Sequence, residues 1–198
     1  MRALAQAGGH LQSHRWSFHV AWGIQRCDVG EECAMREKVF EARLWLPHPP
    51  EKVFPFFADA ANLDEITPPW LHFKITCDLP ILMREGAKIN YSIRLYGIPI
   101  RWRTNISQWR PPMKFVDEQL SGPYRLWHHT HTFVDHNGGT LCTDRVRYGH
   151  WGGPIAERFF VRPNIEKIFA YRQAKLAERF GAAAAIAEPK HVPISSPG

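Results

Sequence analysis

Two histidines and an aspartate carry the most chemically suggestive pattern in the chain. His129 and His131 alternate on one side of an Asn137-Gly138 dipeptide, and Asp144 lies on the other side, all within Tyr124 to Tyr148. Imidazole is the side chain suited to moving a proton near neutral pH, and a carboxylate that holds one ring nitrogen fixes the tautomer of the other. Inside a cavity, His131 with Asp144 would be a general base and its orienter, or a polar anchor for a ligand oxygen. If the two face only each other, they are a buried pair satisfied for structural reasons.

Other chemistry finds little support. His128, His129, His131 and His136 suggest a metal, but strand alternation turns His128 away from His129 and His131. No cysteine or carboxylate cluster completes a ligand set, so no metal is expected. Gly138-Gly139 and Gly152-Gly153 lack the spacing and the lysine of a phosphate-cradling loop. No serine sits in a nucleophile elbow, and no cysteine has a neighbour that would activate it. No cofactor is expected.

The elements must bring these residues together. Asn and Gly both tolerate the positive φ of a type I′ turn, so Asn137-Gly138 reads as a two-residue hairpin loop. That loop pairs His136 with Gly139 and sets Trp127 opposite Tyr148, His129 opposite Val146, His131 opposite Asp144 and Phe133 opposite Cys142, all on one face. The opposite face carries Thr and Arg, as a water-facing side should. A second hairpin turns near Tyr96-Gly97-Ile98 and gives a second apolar face from Ile89, Tyr91, Ile93 and Leu95 with Ile100, Trp102, Thr104 and Ile106. Residues 114–120 form a further strand whose phase stays open. A three-residue loop after it turns Phe115 and Asp117 inward; a loop one residue longer turns Val116 and Glu118 inward. A final helix from Pro163 to Phe180 has an apolar stripe of Ile165, Ile168, Phe169, Leu176 and Phe180, with Arg172 inside it. Arg172 either snorkels to solvent or meets Asp144, Glu118 or an anionic ligand group. Before the hairpins come a strand, Val39 to Leu46, a helix opening at Pro49-Pro50, a second short helix near Ala60 to Ile66, and a strand at His72 to Cys77.

At 198 residues the chain suits one domain, with eight Trp and twelve Phe to fill a core. Residues 1–34 are expected to be a disordered extension, 35–180 the domain, and 181–198 a disordered tail rich in Ala, Pro and Ser. Four cysteines without C-x-x-C spacing or a secretory signal suit reduced thiols and a cytoplasmic location. No apolar run is long enough for an integral membrane segment. The net charge of +6 is scattered rather than clustered, so nucleic acid is not an expected partner.

This order of elements resembles the helix-grip fold, an α+β architecture in which a curved antiparallel sheet wraps a long C-terminal helix, with two short helices after the first strand. The sequence resembles the ligand-binding SRPBCC superfamily: START lipid-transfer domains, the birch pollen allergen, polyketide cyclases and dehydrases, and coenzyme-Q-binding proteins. Within it, the chain resembles the bacterial single-domain branch. The resemblance rests on Asn62-Leu63, Ile66-Thr67-Pro68-Pro69-Trp70, Gly97-Ile98-Pro99, Trp102-Arg103-Thr104 and Phe115-Val116-Asp117-Glu118-Gln119. It continues through Gly122-Pro123-Tyr124-Arg125, Trp127, His129, His131, Gly138-Gly139-Thr140 and Asp144, and ends on Phe169 with Tyr171-Arg172. It implies a cavity between sheet and helix holding a small hydrophobic molecule such as a lipid, quinone, sterol or polyketide; it implies no reaction, since the fold hosts carriers and enzymes alike. The ligand-binding candidates are Tyr91, Trp102, Glu118, Trp127 and His129, together with His131, Phe133, Asp144, Tyr148 and Arg172. A binding protein or carrier is the expected function. The alternatives are a cyclase or dehydratase using His131 and Asp144 as catalytic residues, and a regulatory or interaction module whose cavity is filled by its own side chains.

Overall fold

The computed structural model describes residues 37–182 and 190–192. The expectation for residues 1–34 lies outside them. Among the described residues eight strands form one antiparallel sheet: β1 (Lys38–Leu46), β2 (Lys74–Ile75), β3 (Lys88–Leu95), β4 (Ile98–Arg110), β5 (Lys114–Ser121), β6 (Leu126–His136), β7 (Gly139–Gly149) and β8 (Lys190–Val192). Their order across the sheet is β2-β3-β4-β5-β6-β7-β1-β8, so the first strand crosses over to pair with β7. Strand β8 falls inside the segment expected to be a disordered tail; there, residues 190–192 pair with Val39–Glu41 of β1 instead. The β1 edge would otherwise offer unpaired backbone groups.

The β6–β7 hairpin turns on Asn137 and Gly138, with φ of 50° and 74°. It adopts the register that this turn dictates, His131 opposite Asp144 and Trp127 opposite Tyr148. In the β3–β4 hairpin Tyr96 and Gly97 also take positive φ, and Tyr91 stands opposite Trp102. Two register shifts interrupt the β4–β5 ladder, between Arg103 and Thr104 and between Ile106 and Gln108. Such irregularities bend a strand and raise its twist, which curves the sheet around what it covers.

That object is a helix of three fused parts: α2 (Gly153–Ala156), a π-helical turn (Glu157–Val161) and α3 (Arg162–Phe180). The sequence reads Gly152-Gly153-Pro154 as launching a short helical turn and Pro163 as starting the final helix; in the structure the two are continuous, joined through the π-turn. Proline lacks the N–H that an unbroken α-helix would use there, and the preceding turn widens into a π-bulge that lets the helix continue. On α3 the residues Ile165, Phe169, Arg172, Leu176 and Phe180 are buried against the sheet. Gln173 Nε2 donates to the Arg43 carbonyl of β1 at 2.9 Å, and Tyr148 at the end of β7 donates to the buried Glu157 carboxylate at 2.8 Å. Full burial of Ile165 alone contributes about 1.5–3 kcal/mol.

The connection from β1 carries α1 (Pro50–Phe57). The second short helix expected there is a single 3-10 turn at Ala60–Leu63, capped by Asp59 accepting from the Ala61 N–H at 2.9 Å. A further 3-10 turn follows at Pro69–Leu71, and the strand expected at His72 to Cys77 is paired only over β2. Among the described residues no helix is long and apolar enough to cross a membrane. Phe54, Phe57, Phe133 and Leu176 form the core at one end of α3; Phe40, Val146, Tyr148 and Ile165 form it at the other.

Candidate functional site

Between these two apolar clusters lies a buried ionic group built from three adjacent strands and the helix. Strand alternation puts His129 and His131 on the inner face of β6, and Asp144 on that of β7. Strand β5 contributes Asp117, because Phe115 pairs with His131 and Asp117 with His129. Asp117 is thus the inward carboxylate of this strand. Glu118 corrects the expectation drawn from sequence: it faces outward, 3.4 Å from His128, because the Phe115 ring stacks on His131 with centroids 4.0 Å apart and locks the strand phase.

The two imidazoles lie side by side, centroids 3.8 Å apart, between the two carboxylates. His131 Nε2 is 2.8 Å from Asp117 Oδ2, and its Nδ1 is 2.7 Å from Asp144 Oδ1, though off the line of a well-formed hydrogen bond. His129 Nε2 is 3.0 Å from the same Asp144 oxygen, while its Nδ1 is 3.5 Å from Asp117 Oδ2. Arg172 closes the group from α3, its Nε 3.4 Å from Asp144 Oδ2. The guanidinium is buried and does not snorkel; it also lies over the Phe57 ring at 5.4 Å.

Burial alone would push both carboxyls up, but their partners win. Arg172 and the two imidazoles hold Asp144 well below the usual carboxylate range, and His129 and His131 hold Asp117 below it. Burial disfavours the charged form of either histidine. His131, clamped by a carboxylate at each ring nitrogen, is nevertheless raised, whereas His129, beside the charged His131, is lowered. The two shifts favour a proton on His131 over one on His129, in a group where Arg172 also faces the two carboxylates.

The cluster forms one wall of a cavity of about 190 Å³ between sheet and α3. Asp117, His129, His131 and Arg172 line it directly. Its remaining wall is mostly apolar, with Ile89, Ile93 and Ile106 from the sheet, Ile165 and Ile168 from the helix and Leu71 from the connection, and carries Asp59, Asn62, Thr67, Thr104 and Asn164 as polar members. Tyr91, Trp102 and Trp127 also line it, with Trp102 stacked on Tyr91 at 5.7 Å and edge-on to Trp127 at 5.4 Å. The buried Trp102 indole N–H has no hydrogen-bond partner among the described residues.

Not every candidate reaches the cavity. Asp144 sits behind the imidazoles. Phe133 packs into the core against Phe57 at 4.8 Å, and Tyr148 commits its hydroxyl to Glu157. Cys142 is buried, and burial pushes its thiol up, so it is no activated nucleophile. Asp117 is absent from the ten candidates. Its only sequence signal was the shorter of the two loops after β5, which turns it toward the histidines.

Residues 46–166 match the model of the family described as polyketide cyclase / dehydrase and lipid transport. The fold is similar to that of the Zhui aromatase/cyclase from Streptomyces sp. R1128, 15% identical over 76% of this chain and 99% of that one, with a TM-score of 0.59. A protein from Thermus thermophilus is 20% identical over 74% of this chain and 99% of its own, TM-score 0.54. Part of a nucleoside-diphosphate sugar epimerase from Corynebacterium glutamicum is 25% identical over 70% of this chain and 28% of that one, TM-score 0.51. The first two likenesses concern the fold alone. No curated protein gives a significant match in sequence.

Proposed function

Because the chain belongs to the polyketide cyclase / dehydrase and lipid transport family of the SRPBCC superfamily, we propose that it binds one small, largely apolar molecule carrying a carbonyl or hydroxyl oxygen, in the cavity between sheet and α3. The observation that carries this reading is the cavity itself, apolar and aromatic over most of its wall and ionic at one end. Its volume of about 190 Å³ favours a ligand of one or two rings. A cavity of roughly 150 Å³ accepts benzene, and drug-sized pockets start at about 300 Å³. The unpartnered Trp102 N–H and the Arg172 guanidinium are the donors that a ligand oxygen would meet.

Binding is favoured over general-base chemistry by His131. Both of its ring nitrogens face carboxylates, so it has no free lone pair with which to accept a proton from a ligand. The cyclase reading would fall to His129, the ring that stays neutral and lines the cavity. Native mass spectrometry of freshly purified protein tests the proposal. A co-purifying mass in the range of a one- or two-ring compound is expected. Absence of any such mass, with no displacement of an aromatic fluorescent probe by small aryl ketones, would overturn it. Conversion of an added ketone into a product of different mass would favour the cyclase.

A further inference from the structure

The sequence offered no carboxylate to complete a metal-ligand set with the histidines; strand β5 supplies one. We propose that Asp117, His129 and His131 form a site for one divalent first-row transition ion, with Asp144 as the outer carboxylate that orients both imidazoles.

Four observations carry this. First, the three residues bring one potential ligand atom each to within 4.8 Å of one another. Asp117 Oδ2 stands 2.8 Å from His131 Nε2 and 3.5 Å from His129 Nδ1. An ion about 2.0–2.2 Å from nitrogen and oxygen ligands, at angles between octahedral and tetrahedral, keeps neighbouring ligands about 2.9–3.5 Å apart. The two spacings from Asp117 lie near that range, and the two imidazole nitrogens are within 4.8 Å of each other. Second, each imidazole turns its other nitrogen to one oxygen, Asp144 Oδ1, at 3.0 Å for His129 and 2.7 Å for His131. A metal-bound histidine usually has this kind of carboxylate partner on its far nitrogen, and it fixes which nitrogen is free to ligate. Arg172 in turn holds Asp144 from the helix. Third, the cation packed against the group, Arg172, contacts Asp144 rather than Asp117, whose carboxylate oxygen faces the two imidazoles. Fourth, Asp117, His129 and His131 all line the cavity, so coordination positions not taken by protein face the space where a ligand oxygen would lie.

Two nitrogens and one carboxylate select among metals. Calcium and magnesium prefer shells of oxygen alone, and copper(I) prefers sulfur; ferrous iron, cobalt and zinc accept this set, iron typically with open positions. Bound there, the ion would act as a Lewis acid on the oxygen of the molecule in the cavity.

The test uses the full chain, stripped with chelator and titrated with Co²⁺ while its visible d–d absorption is followed. Saturation at one equivalent is expected. Affinity should fall about 100-fold or more in Asp117→Asn and in His129→Gln, and about 10- to 100-fold in Asp144→Asn. It should be unchanged in His128→Gln, whose ring is on the other face. The variants decide more than stoichiometry does, because His10, His14, His19, Cys27 and Cys33 elsewhere in the chain could also take up cobalt. No saturable uptake, or uptake that survives Asp117→Asn and His129→Gln undiminished, overturns the site. Should a variant fail to fold, the parent protein still decides through its Tm: a rise that saturates at one equivalent supports the proposal, and no rise overturns it.

Discussion

Each member of the ionic group is tolerable only because the others are present. Asp144 touches His129, His131 and Arg172, so Asp144→Asn leaves a buried guanidinium and an imidazolium with one partner fewer. Removing one partner of a buried ion pair costs about 3–5 kcal/mol, and urea denaturation of this variant should show a loss of that size. The same contacts set how the chelated, metal-free protein responds to pH. The groups facing the histidines are Asp117 from β5, Asp144 from β7 and Arg172 from α3. His131 is raised above its unfolded value of about 6.5, so its stabilisation is complete below that pH and is lost as pH rises through the folded value. His129 is lowered, so stability falls as pH drops below about 6.5 and the unfolded chain takes up a proton that the folded one refuses. The lowered Asp117 and Asp144 add a further loss in acid, below the ordinary carboxylate value of about 3.9. Stability should therefore peak near pH 6.5, and His131→Gln should flatten the alkaline limb and, by removing the charge beside His129, lessen the limb below pH 6.5. A parent protein whose urea midpoint is level from about pH 6.5 to 8.5 would contradict this account.

Among the elements, the β6–β7 hairpin shows what a turn can fix, and two neighbouring glycines separate its causes. Gly138 takes φ of +74° with open space where a Cβ would go, so Gly138→Ala pays only for the left-handed backbone, about 1–2 kcal/mol. At Gly139 a Cβ would lie 2.3 Å from the Leu46 carbonyl oxygen and 2.7 Å from the Trp45 ring. Gly139→Ala must push β1 off β7, so it should cost more than Gly138→Ala and expose the amides of Trp45 and Leu46 to hydrogen exchange, which Gly138→Ala should not. Equal costs would refute the clash. This hairpin was legible because Asn137-Gly138 allows one register, and its parity alone places His129, His131 and Asp144 on one face. Strand β5 was not, because its inner candidates come as adjoining doublets, the apolar Phe115 with Val116 and the acids Asp117 with Glu118. Alternation cannot choose between such doublets; the stacking of Phe115 on His131, a contact between strands, does. Arg172 announced itself as a charge in an apolar stripe, yet its partner depended on where β7 lay beneath the helix. The continuity of that helix was hidden for the opposite reason: Pro163 reads locally as a beginning, so the turn opening at Gly153 and the helix after Pro163 read as two pieces, which the π-turn joins.

For the molecule as a whole, the question is what the fold keeps open. A sheet curved by register shifts cannot close fully on α3, and the gap of about 190 Å³ is the result. If that gap is a binding site, filling it from within should abolish binding while sparing the fold. Ile93 is 7% exposed and lines the cavity from β3, beside Trp102 and Leu71 in the same cluster. Enlarging a residue in a close-packed core costs about 1–3 kcal/mol. Ile93→Trp directs its added bulk into existing space, so its cost should be below about 1 kcal/mol. A ligand present at 100 times its Kd stabilises by about 2.7 kcal/mol, a rise in Tm of roughly 5–10 °C for a domain of this size. One- and two-ring aryl ketones should produce such a rise in the parent protein, larger fused-ring compounds should not, and Ile93→Trp should respond to neither. Full stability with no ligand response in Ile93→Trp ties binding to the cavity. An undiminished response would place the ligand elsewhere on the molecule, and a loss of about 3 kcal/mol or more would mean that the space is not open to an added ring.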